Sequence, residues 1–179
     1  MREARAGNAA QPIPCFYNMP VTFIFNGDNN MFYEDINVGD KRILAPVTVE
    51  RDKMLAFANL YNPAPCHADE KFAAGTRNGD VTSPGIYTFA LMFGQYAPQD
   101  FGFEQTIGGS DLSMNFVRPV FAGDVLHGEA RVDEKFDRNP YNGGLWITID
   151  IYNQNDELVL TARSSSVVLK RNTPAAKDK

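Results

Sequence analysis

One apolar helix followed by a series of long alternating strands limits what this chain can fold into. Ser83 and Pro84 are typical of a helix N-cap and first turn, and the segment from there to about Tyr96 is apolar nearly all round, which predicts a buried helix. Four strand-like segments follow it, separated by turn residues, at 112–117, 125–136, 145–152 and 158–169. This order predicts a single α+β domain in which an antiparallel sheet wraps around a central helix.

The segment before the central helix adds a strand and two helices. Pro46 interrupts the strand-like segment 43–49, and a residue without an N–H favours an edge position in a sheet. Apolar residues recur on one side of 50–61, which predicts a helix that ends before Pro63. Asp69 is a suitable N-cap for a short helix that follows it.

The length and composition fit one domain. The 179 residues are 44% hydrophobic, which is enough for a full core, and we assign the domain to residues 31–171. Residues 1–30 are interpreted as an N-terminal extension, in which 21–25 is an added strand or a packing arm. Residues 172–179, rich in Pro, Ala and Lys, are expected to be disordered.

Charge and cysteine content exclude several classes of partner. The net charge of −5 comes from interleaved acids and bases without a Lys/Arg-rich run, which argues against a nucleic-acid surface. Cys15 and Cys66 are too few for a disulfide framework, and the sequence has no CxxC pair for zinc. No apolar stretch is long enough to span a bilayer or to act as a secretory signal. We therefore expect a cytoplasmic protein with reduced thiols that binds neither nucleic acid nor membrane.

His67 is the residue whose position points most directly to chemistry. It is one of two histidines and follows Pro63 and Pro65 in a loop, which suits a side chain held in a fixed pose. Gly85, eighteen residues later, lies at the start of the central helix, where free N–H groups stabilise negative charge. A proton-transfer group beside such a helix end suits chemistry on a thioester carbonyl. The alternatives are a histidine bonded to the backbone and a glycine needed for close helix packing.

Four motifs occur in order along the chain. They are Tyr-Glu-Asp-Ile-Asn-Val-Gly-Asp at 33–40, Asn-Pro-Ala-Pro-Cys-His-Ala-Asp-Glu at 62–70, a Pro-Val-x-x-Gly-Asp-x-Leu turn within 118–126, and a hairpin at 152–159. In this order and spacing they resemble the MaoC-like dehydratases, a family of (R)-specific enoyl-CoA hydratases and related acyl dehydratases. The resemblance covers about residues 33–170 and implies the hotdog fold.

The resemblance also implies an activity. It is the hydration of a trans-2-enoyl thioester, or the dehydration of an (R)-3-hydroxyacyl thioester, carried by CoA or by an acyl carrier protein. The family works without a metal or an organic cofactor and forms homodimers, so we expect the same here. Two alternatives stay open: a hotdog thioesterase or acyl-thioester-binding protein, and a non-catalytic hotdog subunit that completes a heterodimer.

The same resemblance assigns roles to residues. His67, Asn62 and Gly85 take the catalytic positions, with the N–H of Gly85 polarising the thioester carbonyl. Three neighbouring residues are expected to contact the substrate, namely Ser83, Pro84 and Cys66. The hydroxyl at position 83 would contact the acyl carbonyl or a water, or would serve only as a helix cap.

Asn62 occupies the position at which the family has its catalytic Asp, which binds a water together with the His. An amide cannot take a proton near neutral pH, although it can still hold a water. Three explanations remain open. The residue is a deliberate change made to trap a ligand, or it marks a natural branch that uses His67 alone or another carboxylate such as Asp80. The third explanation is a homologue that binds acyl thioesters or has a different chemistry.

Overall fold

The structure is a computed structural model that describes residues 30–174. It contains five strands, β1 Lys41–Thr48, β2 Thr106–Phe116, β3 Val125–Asn139, β4 Asn142–Tyr152 and β5 Leu158–Leu169. They form one antiparallel sheet in the order β1-β3-β4-β5-β2. The predicted arm at 21–25 lies outside the described residues. Within the predicted tail, Thr173 is buried and its hydroxyl donates to the carbonyl oxygen of Tyr141.

The described chain contains four α-helices, α1 Arg51–Tyr61, α2 Pro65–Ala68, α3 Glu70–Ala74 and α4 Gly85–Tyr96. The predicted cap at Asp69 is confirmed, since its carboxylate accepts a hydrogen bond from the backbone N–H of Phe72 at 2.9 Å. Helix α2 was not predicted, and it places His67 in a single helical turn and not in a loop. Pro65 is its first residue, a position that requires no N–H. None of the helices in residues 30–174 is long and apolar enough to cross a membrane.

Helix α4 lies against β1, β3 and β5, so the predicted sheet around a central helix is confirmed. Tyr87, Met92 and Tyr96 are buried in the core on its inner side. Ile86 and Phe93, however, are 49% and 39% exposed, so the prediction that the helix is buried all round is wrong for the single chain. One sheet covers only one side of a helix, and residues 30–174 leave the other side of α4 exposed at Ile86 and Phe93.

The start of α4 also differs from the prediction. Its N-cap is Pro84 and not Ser83, and the helix begins at Gly85. The backbone N–H of Ser83 donates to the carbonyl oxygen of Val120 at 2.7 Å, and its Oγ pairs with Oγ1 of Thr88 at 2.9 Å. These contacts direct the Ser83 hydroxyl to another side chain instead of to a free N–H of the helix.

Strands β1 and β2 form the two edges of the sheet. The edge position predicted from Pro46 is confirmed, and the register of β1 with β3 shifts between Leu44 and Val47. Strand β2 begins at Thr106, earlier than the predicted segment, because two glycines in its first half weaken the strand pattern. Its apolar side chains are largely exposed, including those of Ile107, Leu112 and Phe116.

Candidate active site

A cavity of about 500 Å³ opens beside the start of α4. Four of the residues singled out in the sequence lie in its wall, Asn62, His67, Ser83 and Gly85. They come from the end of α1, from α2 and from the start of α4. The end of β2, the segment after it and β5 complete the wall, with the apolar side chains of Phe116, Val120 and Leu160 among others.

Cys66 and Pro84 were predicted to contact the substrate, but neither lies in the wall of this cavity. Successive residues of a helix point about 100° apart, so α2 turns Cys66 away as it presents His67. Pro84 is buried at the N-cap of α4. The structure thus brings together four of the six predicted site residues.

The ring of His67 is held by Thr82. Nδ1 of His67 lies 2.8 Å from the carbonyl oxygen of Thr82 and 3.1 Å from its Oγ1. A carbonyl oxygen can only accept a hydrogen bond, so Nδ1 carries the proton, and in the neutral ring Nε2 has the lone pair. None of the residues in 30–174 forms a hydrogen bond with Nε2. This nitrogen is therefore available as a base.

Thr82 also fixes α2 in place. Its backbone N–H donates to the carbonyl oxygen of Cys66 at 3.0 Å, and its hydroxyl donates to the same oxygen at 3.4 Å. Two adjacent residues of α2 are thereby bonded to one residue of the segment before α4. The fixed pose expected for His67 comes from this docking as well as from the prolines.

Asn62 is the C-cap of α1, and its backbone N–H donates to the carbonyl oxygen of Ala58 at 2.9 Å. No described residue hydrogen-bonds its side-chain amide, which faces the cavity and can hold a water there. No Asp or Glu of the described chain lies in the cavity wall. His67 is thus the wall residue suited to proton transfer near neutral pH. Residues 30–174 also contain no group of three or more His, Cys, Asp or Glu that could hold a metal ion.

Asp80, considered as a substitute base, is wrong for that role. Its carboxylate accepts two hydrogen bonds of 2.9 Å from Arg51, which also binds Glu70 at 2.9 Å. The hydrogen bonds from Arg51, followed by that from the backbone N–H of Val81, lower the pKa of Asp80 from 3.8 to about 2. A carboxylate with so low a pKa is a weak base, and Asp80 is not in the cavity wall.

Gly85 combines an electrostatic feature with a packing constraint. The first N–H groups of a helix have no acceptor within it and carry partial positive charge, so the N–H of Gly85 can bind an oxyanion. A Cβ at this position would clash with the ring of Phe116. The glycine therefore allows an aromatic ring to lie directly against the helix start, as the packing interpretation also expected.

Sequence reasoning missed several residues of the site, among them Thr82, Phe116 and Arg77. Thr82 acts through its main-chain oxygen, which leaves no signature in a sequence. Phe116 was recognised only as an apolar strand residue, and Arg77 was not singled out, although both lie in the cavity wall. The contact between Gly85 and Phe116 joins residues far apart in the sequence, so no local pattern indicated it.

Comparison with known proteins is consistent with this geometry. Residues 35–142 match the family described as the MaoC like domain. The chain is similar to a monoamine oxidase regulatory protein from Archaeoglobus fulgidus, at 31% identity over 79% of this chain and 96% of that one, with a TM-score of 0.73. It is similar to a MaoC-like dehydratase from Rhodospirillum rubrum at 29% identity, over 79% and 98% of the two chains, with a TM-score of 0.72. An R-hydratase from Pseudomonas aeruginosa is 25% identical, over 79% and 86%, with a TM-score of 0.64.

The sheet wrapped around α4 is the hotdog fold that the sequence predicted. The family match covers more than half of the chain, and this protein therefore belongs to the MaoC-like family.

Proposed function

We propose that this protein adds water to a trans-2-enoyl thioester and, in reverse, removes it from an (R)-3-hydroxyacyl thioester, with CoA or an acyl carrier protein as the carrier. Membership of the MaoC-like family and likeness to an R-hydratase support a hydratase or dehydratase role. One observation carries the proposal: Nε2 of His67 has no hydrogen-bond partner among the described residues and lies in a cavity that also contains the start of α4.

The residues in the wall can carry out each step of the reaction without a cofactor. In hydration, a water gives a proton to Nε2 of His67 as its oxygen bonds to C3 of the enoyl group. The electron pair of the double bond moves onto the thioester carbonyl, and the resulting enolate oxygen accepts a hydrogen bond from the N–H of Gly85. The imidazolium of His67 then returns the proton to C2, which completes the 3-hydroxyacyl product. Dehydration follows the same steps in reverse.

Asn62 has a smaller role in this scheme than a carboxylate would have. Its amide donates and accepts hydrogen bonds, so it can orient the water, but it cannot take a proton. His67 therefore carries both proton transfers. A positioned acid or base contributes roughly 10²–10⁴-fold in rate, so we expect turnover that is slow in comparison with an enzyme that has Asp at this position.

Binding of an acyl thioester without turnover is the second candidate function. It is favoured by one observation, the lack of any Asp or Glu among the described residues of the cavity wall. A site of this kind would keep the thioester contacts and lose the chemistry.

Crotonyl-CoA hydration separates these functions. We expect a loss of absorbance of the conjugated enoyl thioester and formation of the (R)-3-hydroxy product, measured by chiral analysis. Release of free thiol would instead indicate a thioesterase. Binding of crotonyl-CoA with neither signal would indicate the acyl-binding function, and the absence of binding and turnover would contradict both proposals.

A further inference from the structure

The wall of the cavity is positively charged although the chain as a whole is acidic. Arg77, in the segment between α3 and α4, and Arg118, just after β2, both line it. No described residue of the wall carries a carboxylate, and Glu157, whose Oε1 is 3.7 Å from Nε of Arg118, lies outside the wall. The net charge of the whole chain is −5, so this local excess of cations is opposite in sign to the average surface. Such an arrangement favours an anionic ligand.

Among residues 30–174, the acids nearest to Arg77 in the sequence are bound by another arginine. Arg51 forms ion pairs with Glu70 and Asp80, each at 2.9 Å. Arg77 is exposed, and no residue in 30–174 forms an ion pair or hydrogen bond with its guanidinium. Its charge is therefore available to a ligand.

The backbone that carries Arg77 is held by a compact turn. The hydroxyl of Thr76 donates to the carbonyl oxygen of Ala73 at 2.8 Å and accepts from the backbone N–H of Asn78 at 3.3 Å. The N–H of Gly79 donates to the carbonyl oxygen of Thr76 at 3.1 Å. These bonds reduce the entropy that would be lost when the turn is ordered around a ligand.

Arg118 is partly engaged by the protein. Its Nη1 donates to the carbonyl oxygen of Leu158 at 2.9 Å, and its Nε lies 3.7 Å from Oε1 of Glu157. Its side chain is 47% exposed, and Nη2 remains for a ligand. Arg118 can therefore support Arg77 but is the weaker of the two cations.

The exposure of the wall residues distinguishes the inner end of the cavity from its outer end. Thr88, Val120 and Leu160 are buried, whereas Arg77 and Arg118 are exposed. An acyl group on the apolar inner wall would leave its carrier arm at the outer end, beside the two arginines. The carrier arm of CoA and of acyl carrier protein contains the same phosphopantetheine phosphate, and the guanidinium fork suits phosphate oxygens.

We propose that Arg77, supported by Arg118, binds a phosphate group of the thioester carrier arm at the mouth of this cavity. This inference rests on the proposed function, because that function supplies the thioester.

The first test measures binding without turnover. Calorimetric titration with free CoA should give a Kd about tenfold higher for Arg77→Gln than for the parent. Arg138→Gln is the matched control, because Arg138 is exposed near the end of β3 and does not line the cavity; its Kd should equal that of the parent. Equal affinity of Arg77→Gln and Arg138→Gln would overturn the proposal. Thermal melting confirms that each variant is folded.

The second test identifies which phosphate is bound. Three thioesters of the same enoyl group are compared: on pantetheine, on 4′-phosphopantetheine and on CoA. In the parent, kcat/KM should be higher for a thioester that carries phosphate than for the pantetheine thioester. Arg77→Gln should reduce the ratio of these two kcat/KM values about tenfold. If Arg77→Gln already reduces the ratio for the 4′-phosphopantetheine thioester, Arg77 binds the phosphate that both carriers share. If the ratio is reduced only for the CoA thioester, Arg77 binds the nucleotide phosphates. An unchanged ratio for every pair overturns the proposal.

The two proposals fail in different ways. If the parent hydrates the enoyl thioester but Arg77→Gln behaves like Arg138→Gln, only the phosphate site is wrong. If the parent binds CoA through Arg77 but turns over no thioester, the phosphate site stands and the hydratase function is wrong. If the parent neither binds CoA nor turns over any of the three thioesters, both are wrong.

Discussion

The carbonyl oxygen of Thr82 lies 2.8 Å from Nδ1 of His67, and this contact determines which ring nitrogen can take a proton from the cavity. Nδ1–H remains a donor to the same oxygen after Nε2 is protonated, so the contact supports both charge states of the ring. The proposed cycle, in which His67 takes a proton and returns it, therefore needs no rotation of the side chain.

Replacement of His67 by Ala should abolish turnover with little effect on stability. The side chain is half-buried and makes its hydrogen bonds to one residue, so its loss should cost about 1 kcal/mol, a few degrees in melting temperature. His127→Ala is the control, because Nε2 of His127, in β3, donates to the carbonyl oxygen of Asn153 at 3.0 Å and His127 lies outside the cavity. Normal turnover with a large loss of stability in His67→Ala would show a purely structural histidine.

The change Asn62→Asp should raise the rate of hydration at least tenfold. It adds a carboxylate to a cavity whose described wall has none, and a positioned base contributes roughly 10²–10⁴-fold. Initial rates on several enoyl-CoA thioesters measure the effect. Asn59→Asp, which places the same charge on the exposed face of α1, should leave the rate unchanged. An unchanged rate in Asn62→Asp, with His67→Ala inactive, would refute the missing-carboxylate explanation.

Gly85→Ala should destabilise the protein by about 1–3 kcal/mol, because the added methyl group overlaps the ring of Phe116. In a Phe116→Ala background the same change should be neutral or slightly stabilising, since Ala is the better helix former. Urea unfolding of the two single variants and the double variant measures the coupling. Additive effects would mean that the ring moves aside without cost.

At low pH, the ion pair between Arg51 and Asp80 should contribute less to the stability of the folded state. The pKa of Asp80 is lowered from 3.8 to about 2, chiefly by the hydrogen bonds from Arg51. A lowered pKa stabilises the folded state above the unfolded pKa, and the contribution disappears as the pH falls through the folded value. The difference in urea midpoint between the parent and Asp80→Asn should therefore be constant above about pH 5, should shrink as the pH falls from there, and should be lost below about pH 2.

Arg51→Gln provides the corresponding test from the other partner. Its midpoint should differ from that of the parent above pH 4, and the Asp80-dependent part of this difference should vanish over the same range. A difference between the parent and Asp80→Asn that persists unchanged at pH 2 would contradict this account.

We predict a homodimer in solution. Strand β2 is a sheet edge with unpaired backbone groups and exposed apolar side chains, and Phe93 is exposed on the open side of α4. Light scattering at micromolar concentration should give twice the chain mass. Leu112→Lys, which places a charge on this edge, should shift the protein toward monomer, whereas a monomeric parent would contradict the prediction.

The long elements of the fold were predictable because their signals are local. Strand β5 runs over Leu158–Leu169 as predicted, since the turn before it and its apolar pattern mark both ends. The end of helix α4 was predicted at about Tyr96, where the structure places it, because the apolar segment stops there, whereas its N-cap was predicted one residue too early. Helix α2 was missed because four residues are too few to show a period.

The site was predictable only in part, for a physical reason. His67, Asn62 and Gly85 were placed by spacing and by resemblance, and they do meet in one cavity. The state of Asp80 depends on Arg51, 29 residues away, and this pairing exists only in the folded chain. The orientation of His67 depends on a peptide oxygen, which is the same atom in every residue type. Contacts of this kind exist only in the folded chain and cannot be predicted from the sequence.

Because of Pro46, the two edges of the sheet differ in how well they can pair with a further strand. It has no N–H to donate, and the register beside it is irregular, so β1 is a poor template for a further strand, whereas β2 carries no proline. Two copies paired by a twofold axis through β2 would use both permissive edges and would leave only the two β1 edges outside. Association of this type closes at two chains, because the strand that could continue a fibril is the one that proline interrupts.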